Sequence, residues 1–111
     1  MAEEMVYDVV TCGEGLLRLS PPRYERLEQS NTFEVHAVGA ALEVAVGVQR
    51  MGLRTAWLSA VAGTPLGSKV LNKAQEHGVD TRHIYRVPEG RTGLCFVEPG
   101  SAPRSSRYLY D

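Results

Sequence analysis

No apolar run in this sequence approaches the ~18 residues that a helix needs to cross a bilayer, and the first eight residues, MAEEMVYD, lack the apolar core of a secretory signal. A membrane partner and an export leader are therefore not expected. Charge of one sign is scarce as well. Twelve basic residues oppose thirteen acidic ones, giving a net charge of −1 without a block of like charges. Nucleic acid is not expected as a partner, because phosphate backbones are bound through a basic face. Cysteine occurs only at Cys12 and Cys95, in separate apolar runs and without C-x-x-C spacing. Both read as buried free thiols in a reducing cytoplasm.

Histidine is scarce too. His36, His77 and His83 are dispersed, with no H-x-x-x-H spacing and no carboxylate at ligand spacing, so no metal site is expected. A nucleophile elbow of the form G-x-S-x-G is missing. CGEGLLRL offers Gly13 and Gly15 after a strand, but the third glycine and the immediate helix of a dinucleotide fingerprint are absent. AGTPLGSKV has three residues between its glycines and the order Gly67-Ser68-Lys69, which departs from a phosphate-binding P-loop.

What remains is an ordinary globular composition, 43% hydrophobic and 23% charged over 111 residues, enough for one domain with one modest core. Met5–Cys12 reads as a strand buried on both faces and Leu17/Leu19 against Arg18/Ser20 as a half-exposed strand. Arg23–Thr32 is polar and reads as a loop, and Thr32–His36 alternates again. A helix is expected from about Gly39 to Met51, with Ala41, Val44, Ala45 and Val48 as its apolar stripe and Gly52 as its stop. Arg54–Ala62 reads as one buried strand with Trp57 in the core. Thr64 as N-cap, Pro65 at the first helical position and Gly78 as terminator bound a second helix, whose apolar face is Leu66, Val70, Leu71 and Ala74. Strands are expected at His83–Val87, about Thr92–Glu98, and Arg107 onward. The order predicts an α/β fold with parallel core strands and a side group of antiparallel strands.

The words TCGEGLLRLSPP, FEVHAVGAALEVAVGVQRMGL, AWLSAVAGTPLGSKV, EHGVDT, GRTGLCFVEPG and PRSSRYLYD, in this order from about Val6 to Asp111, resemble the N-terminal part of ribokinase-like (pfkB) sugar kinases. Among these the chain is similar to 2-keto-3-deoxygluconate kinases of haloarchaeal type. The resemblance implies a single domain, 1–111, holding an incomplete, parallel, doubly wound core (about 5–13 and 37–88) with a small antiparallel β lid (about 16–36 and 92–111). It implies that the lid covers a sugar or sugar-acid substrate and pairs with a second lid in a homodimer.

The resemblance also assigns the candidate site. Gly39 and Ala40 keep the middle of the family's sugar-binding turn, where glycine lets the backbone approach the ligand. Glu43 stands where the family has an Asn amide, and Val38 where it has a small residue. Glu43 is either a hydrogen-bond acceptor facing the sugar or a first-turn acid favoured by the helix dipole and turned to solvent. Arg18 replaces a sugar-binding Asp and either pairs with a substrate carboxylate or is solvated. Cys95 stands where these kinases can place a Tyr, and Tyr110 matches a substrate-side aromatic. The complete family enzyme uses ATP and Mg, with a catalytic Asp in a Gly-Ala-Gly-Asp motif that is not found in these 111 residues. The isolated chain is therefore expected to bind no cofactor, to hold no catalytic residue, and to transfer phosphate only when a C-terminal half is supplied. The alternative is a non-catalytic lid and dimerisation module.

Overall fold

A computed structural model describes residues 6–111. Two helices and eight strands follow in the order β1 (Val9–Cys12), β2 (Leu16–Ser20), β3 (Glu34–Val38), α1 (Ala40–Arg50), β4 (Thr55–Leu58), β5 (Ala60–Ala62), α2 (Pro65–Glu76), β6 (Tyr85–Val87), β7 (Gly93–Glu98) and β8 (Arg107–Tyr110). The expected first strand is shorter than its apolar run, and its expected start at Met5 lies outside the described residues.

The parallel pairs β1–β4 and β5–β6 form the core. Asp80 extends the first pair: its N–H donates to Thr55 O at 2.9 Å, and Trp57 N–H donates to Asp80 O at 3.2 Å. Arg54–Ala62 is thus two strands rather than one. The chain changes partner at Ser59, passing from β1 to β6, and a periodicity cannot show which neighbour a residue will take.

A second sheet has the order β3-β2-β7-β8. Its outer pairs, β2–β3 and β7–β8, are antiparallel, but the central pair β2–β7 is parallel. The sheet is therefore mixed rather than antiparallel throughout. Each outer pair joins segments that double back, whereas β2 and β7 are separated by both helices and arrive in the same direction. The radius of gyration is 16.4 Å, against about 13 Å for a compact domain of this length. The molecule is correspondingly long, 62 × 33 × 18 Å.

One buried cluster joins the two parts: Leu17 and Ala37 of the mixed sheet with Leu42, Ala45 and Val46 of α1, Trp57 and Val61 of the core strands, and Val70 and Ala74 of α2. Trp57 is fully buried, and its Nε1–H donates to Gly13 O at 2.9 Å. Thr64 caps α2 as expected, its hydroxyl accepting from Gly67 N–H at 3.3 Å, with Pro65 at the first helical position.

Three expectations are corrected. The buried face of α1 is Leu42, Ala45 and Val46, while Val44 is exposed. Apolar residues occupy nearly the whole circumference of this helix, so the true stripe at Leu42, Ala45, Val46 and Gln49 fits helical spacing as well as the expected one. Leu66 is exposed, because the buried face of α2 passes through Gly67, Val70 and Ala74. β1 alternates instead of being buried on both faces, so Val10 and Cys12 are exposed; α1 covers only the opposite face. Cys95 alone is a buried thiol.

Candidate functional site

The turn from β3 into α1 lies close against the connection between β1 and β2. Gly39 has φ +142°, a conformation that L side chains rarely adopt. A Cβ there would lie 2.5 Å from Glu14 O, so only glycine lets this turn lie against the connection between β1 and β2. Thr11 Oγ1 donates to Ala41 O at 2.9 Å and ties the first turn of α1 to β1. Small residues keep the helix close, since a Cβ on Gly13 would meet the Ala41 Cβ at 2.9 Å.

Over this turn the mixed sheet encloses a cavity of about 400 Å³. β2 contributes Leu16 and Arg18, the turn contributes Val38 and Gly39, and α1 contributes Ala40 and Glu43. β7 adds Cys95 and Val97, and β8 adds Tyr108 and Tyr110. All seven residues named from the sequence, Arg18, Val38, Gly39, Ala40, Glu43, Cys95 and Tyr110, line this one space. Tyr108, Val97 and Leu16 also line it and were not named. The signal was present, because each stands two residues from a named one and a strand repeats its face every second residue.

The charge in the cavity is one guanidinium and one carboxylate, on different walls. Glu43 Oε2 lies 3.5 Å from Gly39 N–H, so the acid folds toward the N-terminus of its own helix, where negative charge is favoured, while still lining the cavity. Cys95 and Tyr110 are register partners across β7 and β8. The Tyr110 phenol is held above its ordinary pKa, first by its interaction with the neighbouring Cys95 sulfur. Tyr110 therefore stays protonated and keeps an O–H donor at neutral pH.

A buried carboxylate braces the sheet behind this wall. Glu98 is 1% exposed, accepts from Leu27 N–H at 2.8 Å and pairs with Arg107, which also reaches Glu28 at 2.7 Å. These bonds hold its pKa down to about 2, the Arg107 hydrogen bonds first and the Leu27 N–H second. They anchor the polar loop before β3 to β7 and to β8, which carries Tyr108 and Tyr110. Nothing in the local pattern marks Glu98, since Leu27 is far along the chain and Arg107 is met only through the register of β7 with β8.

The N-terminus of α2, which mimics a P-loop in sequence, is pressed onto its own strand: a Cβ on Gly67 would collide with Ala62 O. Among the described residues no group of three or more His, Cys, Asp or Glu is placed to hold a metal.

Comparison with known proteins agrees with this architecture. The family model of pfkB family carbohydrate kinases matches residues 4–108. The chain is 38% identical over 107 residues to a 2-dehydro-3-deoxygalactonokinase of Haloferax volcanii, covering 96% of this chain and 33% of that protein. The crystal structure of a 2-dehydro-3-deoxygluconokinase from Thermotoga maritima superposes with a TM-score of 0.88 at 38% identity, covering 93% of this chain and 31% of that one. A sugar kinase from Pyrococcus horikoshii, solved in complex with ATP, superposes with a TM-score of 0.84 at 32% identity, covering 93% of this chain and 33% of that one. The chain thus spans about a third of the length of the relatives it matches. The fold is ribokinase-like α/β, with part of that fold present in these residues. The chain belongs to the pfkB family of carbohydrate kinases.

Proposed function

We propose that these residues form the sugar-side, N-terminal portion of a kinase for 2-keto-3-deoxy sugar acids, with the mixed sheet as the lid over the substrate. One observation carries this reading: Arg18, Gly39, Ala40, Glu43 and Tyr110 line a single cavity of about 400 Å³, within the usual size of small-molecule sites, roughly 300–1,000 Å³. Arg18 suits the carboxylate of a sugar acid. Glu43 can accept hydrogen bonds from sugar hydroxyls while its charge opposes the sugar acid's own carboxylate, and the tyrosine phenols donate to the hydroxyls. The names of the Haloferax and Thermotoga relatives support the same substrate class.

In this reading the ATP-side residues, the Mg²⁺ site and the catalytic Asp lie outside these 111 residues, and transfer of the γ-phosphoryl group to a sugar hydroxyl requires them. The division into core (5–13 and 37–88) and lid (16–36 and 92–111) belongs to the same proposal, as does a cytoplasmic location. Homodimerisation through the lid is supported by the opposite face of the sheet, where Leu27, Phe33, Phe96 and Leu109 line an open apolar cavity of about 430 Å³.

The second reading, a non-catalytic lid and dimerisation module, is favoured by Glu43 in place of an amide. Titrating the ¹⁵N-labelled chain with 2-keto-3-deoxygluconate separates the two. Saturable amide shifts clustered at Arg18, Gly39–Glu43 and Tyr110 are expected from a sugar-acid site. Their absence at millimolar ligand, with a dimer seen by sedimentation, would leave the module.

A further inference from the structure

A second concave surface lies between α2 and β3, and it shares no lining residue with the sugar-side cavity. Its volume is about 360 Å³. From α2 it takes Lys69, Asn72, Lys73 and Glu76, which fall at i, i+3, i+4 and i+7, so the helix turns one polar stripe into the groove while Val70 and Ala74 face the core. From β3 it takes Val35, His36 and Ala37. β3 is an edge strand, paired with β2 alone among the described residues, so its outer backbone groups have no strand partner.

Two like charges of α2 face the groove together. Lys69 and Lys73 stand one turn apart, a spacing at which like charges destabilise a helix. Among the described residues neither is in an ion pair. The groove's acid, Glu76, is mostly solvated and lies 3.9 Å from His77 Nε2, which is directed along the helix rather than to either lysine. Two compact ammonium charges with rotatable donors suit a compact, multiply charged acceptor better than a planar carboxylate.

We infer that the groove between the Lys69/Lys73 face of α2 and the free edge of β3 binds a small dianion of the phosphate class, either inorganic phosphate or a phosphomonoester. The lysine ammonium groups neutralise it, and the Asn72 amide and the outer N–H groups of β3 are the neighbouring donors. The strand that forms one wall runs on into Val38 and Gly39, so an occupant of the groove lies against the same strand that enters the sugar-side turn. This inference does not depend on the sugar-acid reading, because the two spaces report through different residues.

The test is an amide NMR titration of the 111-residue chain with inorganic phosphate at constant ionic strength, with chloride as the control ion. Saturable shifts confined to Val35–Ala37 and Lys69–Glu76 are expected in the millimolar range, absent with chloride. Phenyl phosphate in place of inorganic phosphate distinguishes the two sources: a tighter midpoint assigns a phosphomonoester, an equal one the free ion. The double variant Lys69→Gln/Lys73→Gln is expected to keep the wild-type spectrum outside the groove and to weaken binding about tenfold, from the loss of two short-range attractions. Equal shifts with chloride, undiminished binding by the double variant, or shifts centred on Gly39–Glu43 would each overturn the inference.

Discussion

Gly39→Ala probes the turn on which the cavity is built. The new Cβ would sit 2.5 Å from Glu14 O, a backbone atom that cannot swing aside, and φ +142° is itself strained for any L residue. Strain of that kind costs on the order of 1–3 kcal/mol, and relieving the contact adds to it, so a loss of about 3 kcal/mol is expected. Against a total stability of about 5–15 kcal/mol, that is a large fraction. At roughly 4–8 °C per kcal/mol for a domain near this size, the melting temperature should fall by about 12–24 °C. Gly47→Ala is the matched control, being the same change in the middle of α1, where a Cβ would meet nothing within 4 Å. It should stabilise the protein by up to about 1 kcal/mol through helix propensity. Urea denaturation followed by circular dichroism measures both. Equal effects of the two substitutions, or a Gly39→Ala loss below about 0.5 kcal/mol, would refute the close approach at this turn.

Thr55 is buried and among the described residues its hydroxyl has no partner, so Thr55→Val should stabilise by about 1 kcal/mol in the same denaturation assay, by removing a desolvated polar group without changing shape. Glu98 gives an acid dependence of defined sign. Its pKa falls from 4.5 to about 2 on folding, so its contribution is fully present above pH 4.5 and is lost as pH drops toward 2. Asp80, held below the usual carboxylate range by Arg82 and then by Tyr7, acts in the same direction. Urea midpoints measured down this range should fall steeply in the wild type and less steeply in Glu98→Gln.

The sequence is most legible where a residue has one structural use. Thr64, Pro65 and Gly78 punctuate α2 as expected, and Trp57 is core, because caps and a large aromatic in a β run have few alternatives. It is least legible where the chain offers several equivalent choices. α1 is apolar on nearly every side, so its buried face is fixed by packing on β1 and β4 and not by periodicity. β1 is an apolar run whose second face is left exposed, as Val10 and Cys12 show. The residues around the cavity are legible through the family resemblance, and Tyr108 follows from Tyr110 by strand alternation. Glu98 and its partners Leu27 and Arg107 could be found only once the fold had brought them together.

The most direct test of the sugar-side cavity is the dissociation constant of 2-keto-3-deoxygluconate for the chain and for its Glu43→Asn variant, measured by calorimetry. If Glu43 faces the ligand, replacing a carboxylate that repels the sugar acid's own charge should tighten binding. An unfavourable interaction of about 1 kcal/mol in a wet site corresponds to roughly fivefold. Saturable binding by the wild type that tightens in the variant is the predicted result. Absence of heat with both proteins, or identical constants for the two, would contradict the account.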